Sequence, residues 1–228
     1  MKAIWMILAL SVPAMGTPPD EPASKQKEPV VEKVGENQYR IGEIELNAAT
    51  REIRFPAVVN QDAGALEYVL VQETGKVHES LLRTDVPAGQ LQVALKLLRF
   101  RAGWGRLFDH LHPPGKAPVR DAIGEEVELL VSWAEKPAIP LRRAIHNRKT
   151  GKVMDDSPWV FTGSEVVEGE FQAEVEGSIV AIFRDALAMI NTVDSDSLDD
   201  EVWFPIAGVL PPRESKVQVI IRPRKQEP

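Results

Sequence analysis

Apolar and polar residues alternate with a period of two through most of this chain, and that period predicts strands. Tyr39, Ile41, Ile44 and Leu46 predict one strand, Asn47–Thr50 a turn, and Ile53, Phe55 and Val58-Val59 its antiparallel return. Ala65–Gln72 is β-branched and aromatic and reads as a buried strand. Thr74-Gly75-Lys76 reads as a hairpin turn, with Val77–Ser80 running back along the other side. Glu126–Trp133 places Val127, Leu129, Val131 and Trp133 on one face. Leu141–His146 and Val153-Met154 flank a further turn at Lys149–Lys152. Trp159–Phe161, Glu170–Val175 and Ser178–Phe183 predict strands, and Ala186–Ile190 one helical turn. Val217–Ile221 reads as the closing strand, stopped by Pro223.

One segment has the other period. Leu91, Ala94, Leu95 and Leu98 recur at i, i+3, i+4 and i+7, and Val93 and Leu97 widen the apolar face. This predicts a helix over about residues 86–100, capped by Thr84 or Asp85, with Pro87 in the first turn. One main helix among antiparallel strands and hairpins predicts a β-dominated α+β domain. Residues 102–123, rich in Gly and Pro, read as a long loop.

The N-terminus follows a different grammar. Lys2 precedes an apolar run from Ala3 to Val12, Pro13 breaks it, and Ala14 and Gly16 are small. This is the pattern of a secretory signal peptide over residues 1–16, too short for a spanning helix. Residues 17–33, with Pro18, Pro19, Pro22 and Pro29 among charged residues, read as a disordered tether. A single domain over 34–223 and a frayed tail over 224–228 follow. The expected location is exported, periplasmic or extracellular, with membrane contact only through an uncleaved signal segment.

Composition narrows the chemistry. The 228 residues include no cysteine, which excludes disulfides, thiol nucleophiles and Cys-ligated zinc or iron–sulfur clusters. The formal charge of −7 argues against nucleic acid as a partner. Gly75-Lys76 and Gly151-Lys152 lack the rest of a phosphate-binding loop, and Ser164 is in no Gly-x-Ser-x-Gly elbow. No dinucleotide fingerprint is present, so no cofactor is expected.

The residues left with chemical potential are few. His110 and His112 form a weak metal pair without a third ligand nearby. Asp194, Asp196 and Asp200 lie in an acidic run that offers oxygen ligands to calcium but lacks EF-hand spacing, so a solvated loop is the default. His78-Glu79-Ser80 supplies a base and a hydroxyl that need a third, orienting group. Arg99, Arg101 and Arg106 among Phe100, Trp104 and Phe108 read as packing under the long loop. Arg142, Arg143, Arg148, Lys149 and Lys152 read as an exposed hairpin edge guarded by charge.

Three runs are distinctive as a set. The first is Gly64–Val71 followed by Gly75–Leu82. The second is Trp159–Ser164 followed by Phe171, Ala173, Gly177 and Ser178. The third comprises Asn191, Asp200, Trp203, Leu210-Pro211 and Val217–Pro223. In order and spacing they resemble the YdjY-domain family of exported bacterial proteins of planctomycete and verrucomicrobial type, over roughly residues 35–223. The resemblance implies a fold unit more than an activity. Some relatives are described as ferredoxin-like or electron-transfer proteins, and a chain without cysteine departs from them. The positions matching the family pattern assemble a candidate polar site of Glu67, His78, Glu79, Ser80, Ser164 and Asn191.

The expected function is a non-enzymatic exported module that binds a protein or envelope partner. The alternatives are a hydrolase or small-ligand-binding protein centred on His78, Glu79 and Ser80, and a redox accessory protein without its own cluster. Geometry discriminates: a shared open pocket favours a site, and buried, internally bonded side chains favour the module.

Overall fold

The computed structural model describes residues 30–105, 107–109, 123–134 and 136–225. An antiparallel meander comes first: β1 (Val31–Gly35), β2 (Gln38–Ile41), β3 (Ile44–Asn47) and β4 (Glu52–Val59). Then come β5 (Tyr68–Gln72), β6 (Ser80–Thr84), α1 (Ala88–Leu97), β7 (Glu126–Ser132), β8 (Ile139–Pro140), β9 (Ile145–Asn147) and β10 (Trp159–Phe161). The rest is β11 (Val166–Val167), β12 (Glu170–Phe171), α2 (Gln172–Glu176), β13 (Ser178–Ala181), β14 (Ile190–Thr192), β15 (Trp203–Pro205) and β16 (Lys216–Pro223).

The domain is β-dominated with two helices, and its main sheet closes into a mixed eight-stranded barrel. Strand order is β4-β16-β7-β10-β14-β13-β5-β6, and β6 pairs back onto β4 to complete the circle. The closure rests on the length of β4. Its first half pairs with β3 at residues 52–54, and its last two residues pair with β6 on the same side. Pro56 sits where β4 changes partner. Its carbonyl accepts the Thr84 hydroxyl at 2.7 Å, so its missing N–H faces the junction and costs no ladder bond. Along β4 every second residue is buried: Ile53, Phe55, Ala57 and Val59 enter the core. Val127, Leu129 and Val131 on β7 and Val217, Val219 and Ile221 on β16 do the same.

α1 lies across one end of the barrel. Ala88, Leu91, Ala94 and Leu95 are buried in the main core. The Gln92 amide donates to the Gly163 carbonyl beyond β10, and Glu174 of α2 accepts the Gly89 N–H. The Arg51 guanidinium, just before β4, donates to the Leu98 carbonyl. The helix spans Ala88–Leu97, inside the expected range, and Pro87 rather than Thr84 or Asp85 is its N-cap. The Thr84 hydroxyl accepts the Val86 N–H one turn earlier.

Two connections depart from the hairpin expectation. β5 and β6 are parallel, and so are β13 and β14. Parallel neighbours ordinarily need a crossover of a dozen or more residues. Here residues 73–79 and 182–189 make the return outside the barrel. Thr74-Gly75-Lys76 therefore turns into a crossover with a 310 turn at Val77–Glu79, not into a hairpin. Ala186–Ile190 forms turns leading into β14 instead of a helical turn. Glu170–Val175 splits into β12 and the start of α2, because a short apolar run carries no decisive period.

The two crossovers are tied together. Tyr68 is buried on β5; its hydroxyl donates to Asp185 at 2.9 Å and accepts from the Lys76 ammonium at 2.8 Å. Burial, with the Asp185 carboxylate beside it, pushes the Tyr68 hydroxyl far above its ordinary pKa. Tyr68, Val71, Ala181 and Ala188 form a second apolar cluster, with Val77 packed on it. Phe100, Trp104 and Phe108 are buried as expected, with Trp104 and Phe108 edge-to-face at 5.1 Å.

Candidate functional site

The six candidate polar residues do not share a cleft. Glu67, His78 and Glu79 meet at the barrel end opposite α1, where β5 starts and the 310 turn of the crossover delivers Glu79. The Glu67 N–H donates to the Glu79 carbonyl at 2.9 Å, and His78 Nε2 lies 3.5 Å from the Glu79 carboxylate. Partial burial raises the Glu67 pKa, the charges of Glu79 and Asp200 raise it further, and Lys76 and His78 oppose them. The His78 side chain is 77% exposed.

Ser80, Ser164 and Asn191 are occupied inside the fold. Ser80 is fully buried, and its hydroxyl donates to the Leu82 carbonyl at 2.7 Å, so it presents no nucleophile to His78. Asn191 is fully buried on β14. Its oxygen accepts the Asp185 N–H at 2.9 Å, and its amide donates to Thr162 Oγ1 at 3.0 Å and the Asp185 carbonyl at 2.9 Å. That set holds the 182–189 crossover in shape. Ser164 sits near the α1 end in a left-handed conformation (φ 58°), accepts the Ala173 N–H at 3.0 Å and donates to the Leu187 carbonyl at 2.5 Å.

The acidic run forms a 310 turn over Ser195–Leu198. Asp194 is its N-cap and accepts the Asp196 N–H at 2.8 Å. Asp196 accepts the Asn147 amide at 2.7 Å, Asp199 pairs with Lys149, and Asp200 lies in the field of Glu67. Burial raises the Asp194 pKa, and the Asp155 and Asp196 charges add to it. Among the described residues no group of three or more His, Asp or Glu is arranged to hold a metal ion. His110 and His112 lie outside the described residues, as does the N-terminal signal pattern.

An open concavity lies elsewhere among the described residues. A groove of about 850 Å³ runs over the outer face of β7 and β16, walled by Pro140 and Arg142 on one side and Asp156–Trp159 on the other. It opens where β8, paired to residues 130–131 of β7, and β10, paired to residues 126–127, leave a gap. Glu126 and Glu128 alternate outward on β7, and Arg222 near the end of β16 and Arg224 just beyond it lie opposite them. Arg222 pairs with Glu128 at 2.8 Å. Arg224 pairs with Asp156 at 3.0 Å and lies 3.8 Å from Glu126, and Arg142 converges on the same Asp156. Lys225 adds a fourth cation. Arg142 stood out in sequence as part of a basic stretch, and Trp159 and the run holding Arg222 entered through the family resemblance. The i, i+2 spacing of the other charges was visible, but only strand register shows that they face one another.

A family model, the YdjY domain, matches residues 44–222. The chain belongs to the YdjY-domain family. The match runs from the first residue of β3 to the next-to-last residue of β16, so it takes in all eight barrel strands. No curated protein and no solved structure matches the chain. Within this YdjY domain the residues that carried the resemblance are mostly builders. Gly75 and Gly177 pack backbone to backbone, Asn191 braces a crossover, and Ser164 braces a loop.

Proposed function

We propose that this YdjY domain is an exported, non-catalytic binding module for a protein or envelope partner. The supporting observation is the distribution of its polar groups. The hydroxyls and amide that could serve a reaction are buried and bonded to backbone, whereas the charged groove over β7 and β16 stands open at about 850 Å³. Such a groove has the size of a ligand-binding cleft, and its opposed guanidiniums and carboxylates offer orientation to a polar partner. The apolar leader pattern of residues 3–12 supports export.

Site-specific photo-crosslinking in a bacterial host tests this reading, with the probe at Ser157 in the groove and a control probe at Thr50 in the exposed β3–β4 turn. The expected result is a defined adduct from Ser157 alone, on a chain whose mature N-terminus lies near residue 17. Turnover of an ester, phosphoester or glycoside substrate that His78→Ala abolishes would replace this reading with the hydrolase.

A further inference from the structure

We infer that the YdjY domain docks onto a second copy of itself, with the β11–β12 hairpin of one molecule entering the β7–β16 groove of another. The inference goes beyond the binding reading, because it names an occupant for the groove.

The hairpin is built to project. Val166 pairs with Phe171 and Val167 with Glu170 across a two-residue turn, Glu168 (φ 53°) and Gly169 (φ 88°), the left-handed pair that a tight hairpin requires. It forms a sheet of its own, unpaired to the barrel among the described residues. An isolated two-stranded hairpin is marginal in water. This one is held at its base. The Ser164 hydroxyl ties the Ala173 N–H to the Leu187 carbonyl, the Gln172 N–H donates to the Glu165 carbonyl, and Phe171 packs onto the main core. The distinctive run from Gly163 to Gly177 is thus spent on fixing a hairpin in space.

What it presents is apolar and acidic. Val166 is 67% exposed, Val167 45%, and Val175 on the adjoining helix 55%. Segment 165–176 carries five glutamates and no lysine or arginine, and among the described residues none of the five is in an ion pair. Valines on open strand edges are what folded proteins ordinarily cover. The groove has the complementary chemistry. It gathers four cations against three carboxylates on a chain whose formal charge is −7, and Pro140 and Pro158 give it apolar walls. Arg142 and Arg224 share the single Asp156 carboxylate, so an incoming glutamate finds a guanidinium with capacity to spare. In its own chain the hairpin does not line the groove, and its clamped base holds it in that position, so a second molecule supplies the contact. Reciprocal exchange closes a dimer; one-way docking extends a chain.

Sedimentation velocity of the purified mature chain over a range of concentrations tests the inference. The expected result is concentration-dependent association that weakens with salt. Glu168→Lys with Glu170→Lys on the hairpin, or Arg224→Glu with Lys225→Glu in the groove, weakens it by at least about tenfold. Mixing the two variants restores association as a one-to-one pair, because a basic hairpin then meets an acidic groove. Thermal melts confirm that both variants are folded. A wild-type chain monomeric at every concentration, association indifferent to both reversals, or failure of the mixed pair to associate overturns the inference. The Ser157 crosslink reads the binding module separately: an adduct with a different protein alone keeps that reading and removes self-docking.

Discussion

Gly75 and Gly177 meet backbone to backbone. A Cβ on Gly177 would come 2.7 Å from the Gly75 Cα, and one on Gly75 would come 3.0 Å from the Gly177 and Glu176 carbonyls. Gly177 also ends α2 in the left-handed region (φ 67°). The contact presses the β5–β6 crossover against the entry to β13, and so lets a link of seven residues suffice. Gly177→Ala combines a strained φ with a clash against main chain. The expected cost is roughly 1–3 kcal/mol, seen as a fall of about 2–4 °C in Tm for each kcal/mol.

Asn191 holds the other short crossover, and its chemistry is specific. Asn191→Asp turns a buried donor into an oxygen facing the Asp185 carbonyl and Thr162 Oγ1. An unpaired buried charge of this kind costs about 3–5 kcal/mol. The expected outcome is a large loss of stability, with hydrogen exchange of residues 185–190 accelerated ahead of the barrel strands.

Asp194 makes the domain less stable as pH rises. Its folded pKa is raised, so folding favours the protonated form. The benefit is full below the unfolded value of about 3.9 and is lost as pH rises through the folded value. Asp194→Asn keeps the acceptor that caps Asp196 and never ionises. The variant is expected to melt higher than wild type at pH 7, with the difference closing toward pH 3.

Glu125 acts with the opposite sign. The Arg51 guanidinium takes both its oxygens, at 2.7 and 3.0 Å, and holds its carboxyl below the ordinary glutamate range. The contribution is present above the unfolded value of about 4.3 and lost as pH falls through the folded one. Glu125→Gln is expected to lower Tm at pH 7 and to flatten the acid limb of the stability profile.

His78→Ala is expected to change stability by no more than about 0.5 kcal/mol, as an exposed side chain allows. Ser164→Ala, at the other end of the barrel, is expected to loosen the β11–β12 hairpin and leave β7 and β16 unaffected. Amide exchange resolved by residue checks both.

Strands such as β7, β10 and β16 and the helix α1 were legible in the sequence by itself, because each is a local run whose period reports one buried face. The absence of cysteine excluded whole classes of chemistry, and the spaced runs from Gly64 to Pro223 carried the family. Tertiary structure decided the rest. Whether Thr74-Gly75-Lys76 turns a hairpin or starts a crossover depends on Gly177, a hundred residues away. The closure of β6 onto β4 depends on β4 outrunning β3, which is a matter of register. Ser80, Ser164 and Asn191 looked reactive by residue type, but a hydroxyl or amide is chemically available only if the fold leaves it unbonded. Here carbonyls and N–H groups claim all three, from two residues on for Ser80 and from farther along the chain for Ser164 and Asn191. Charges separated by nearly a hundred residues, Glu128 and Arg222, became one wall of a groove because β7 and β16 pair antiparallel with those two residues directly opposite.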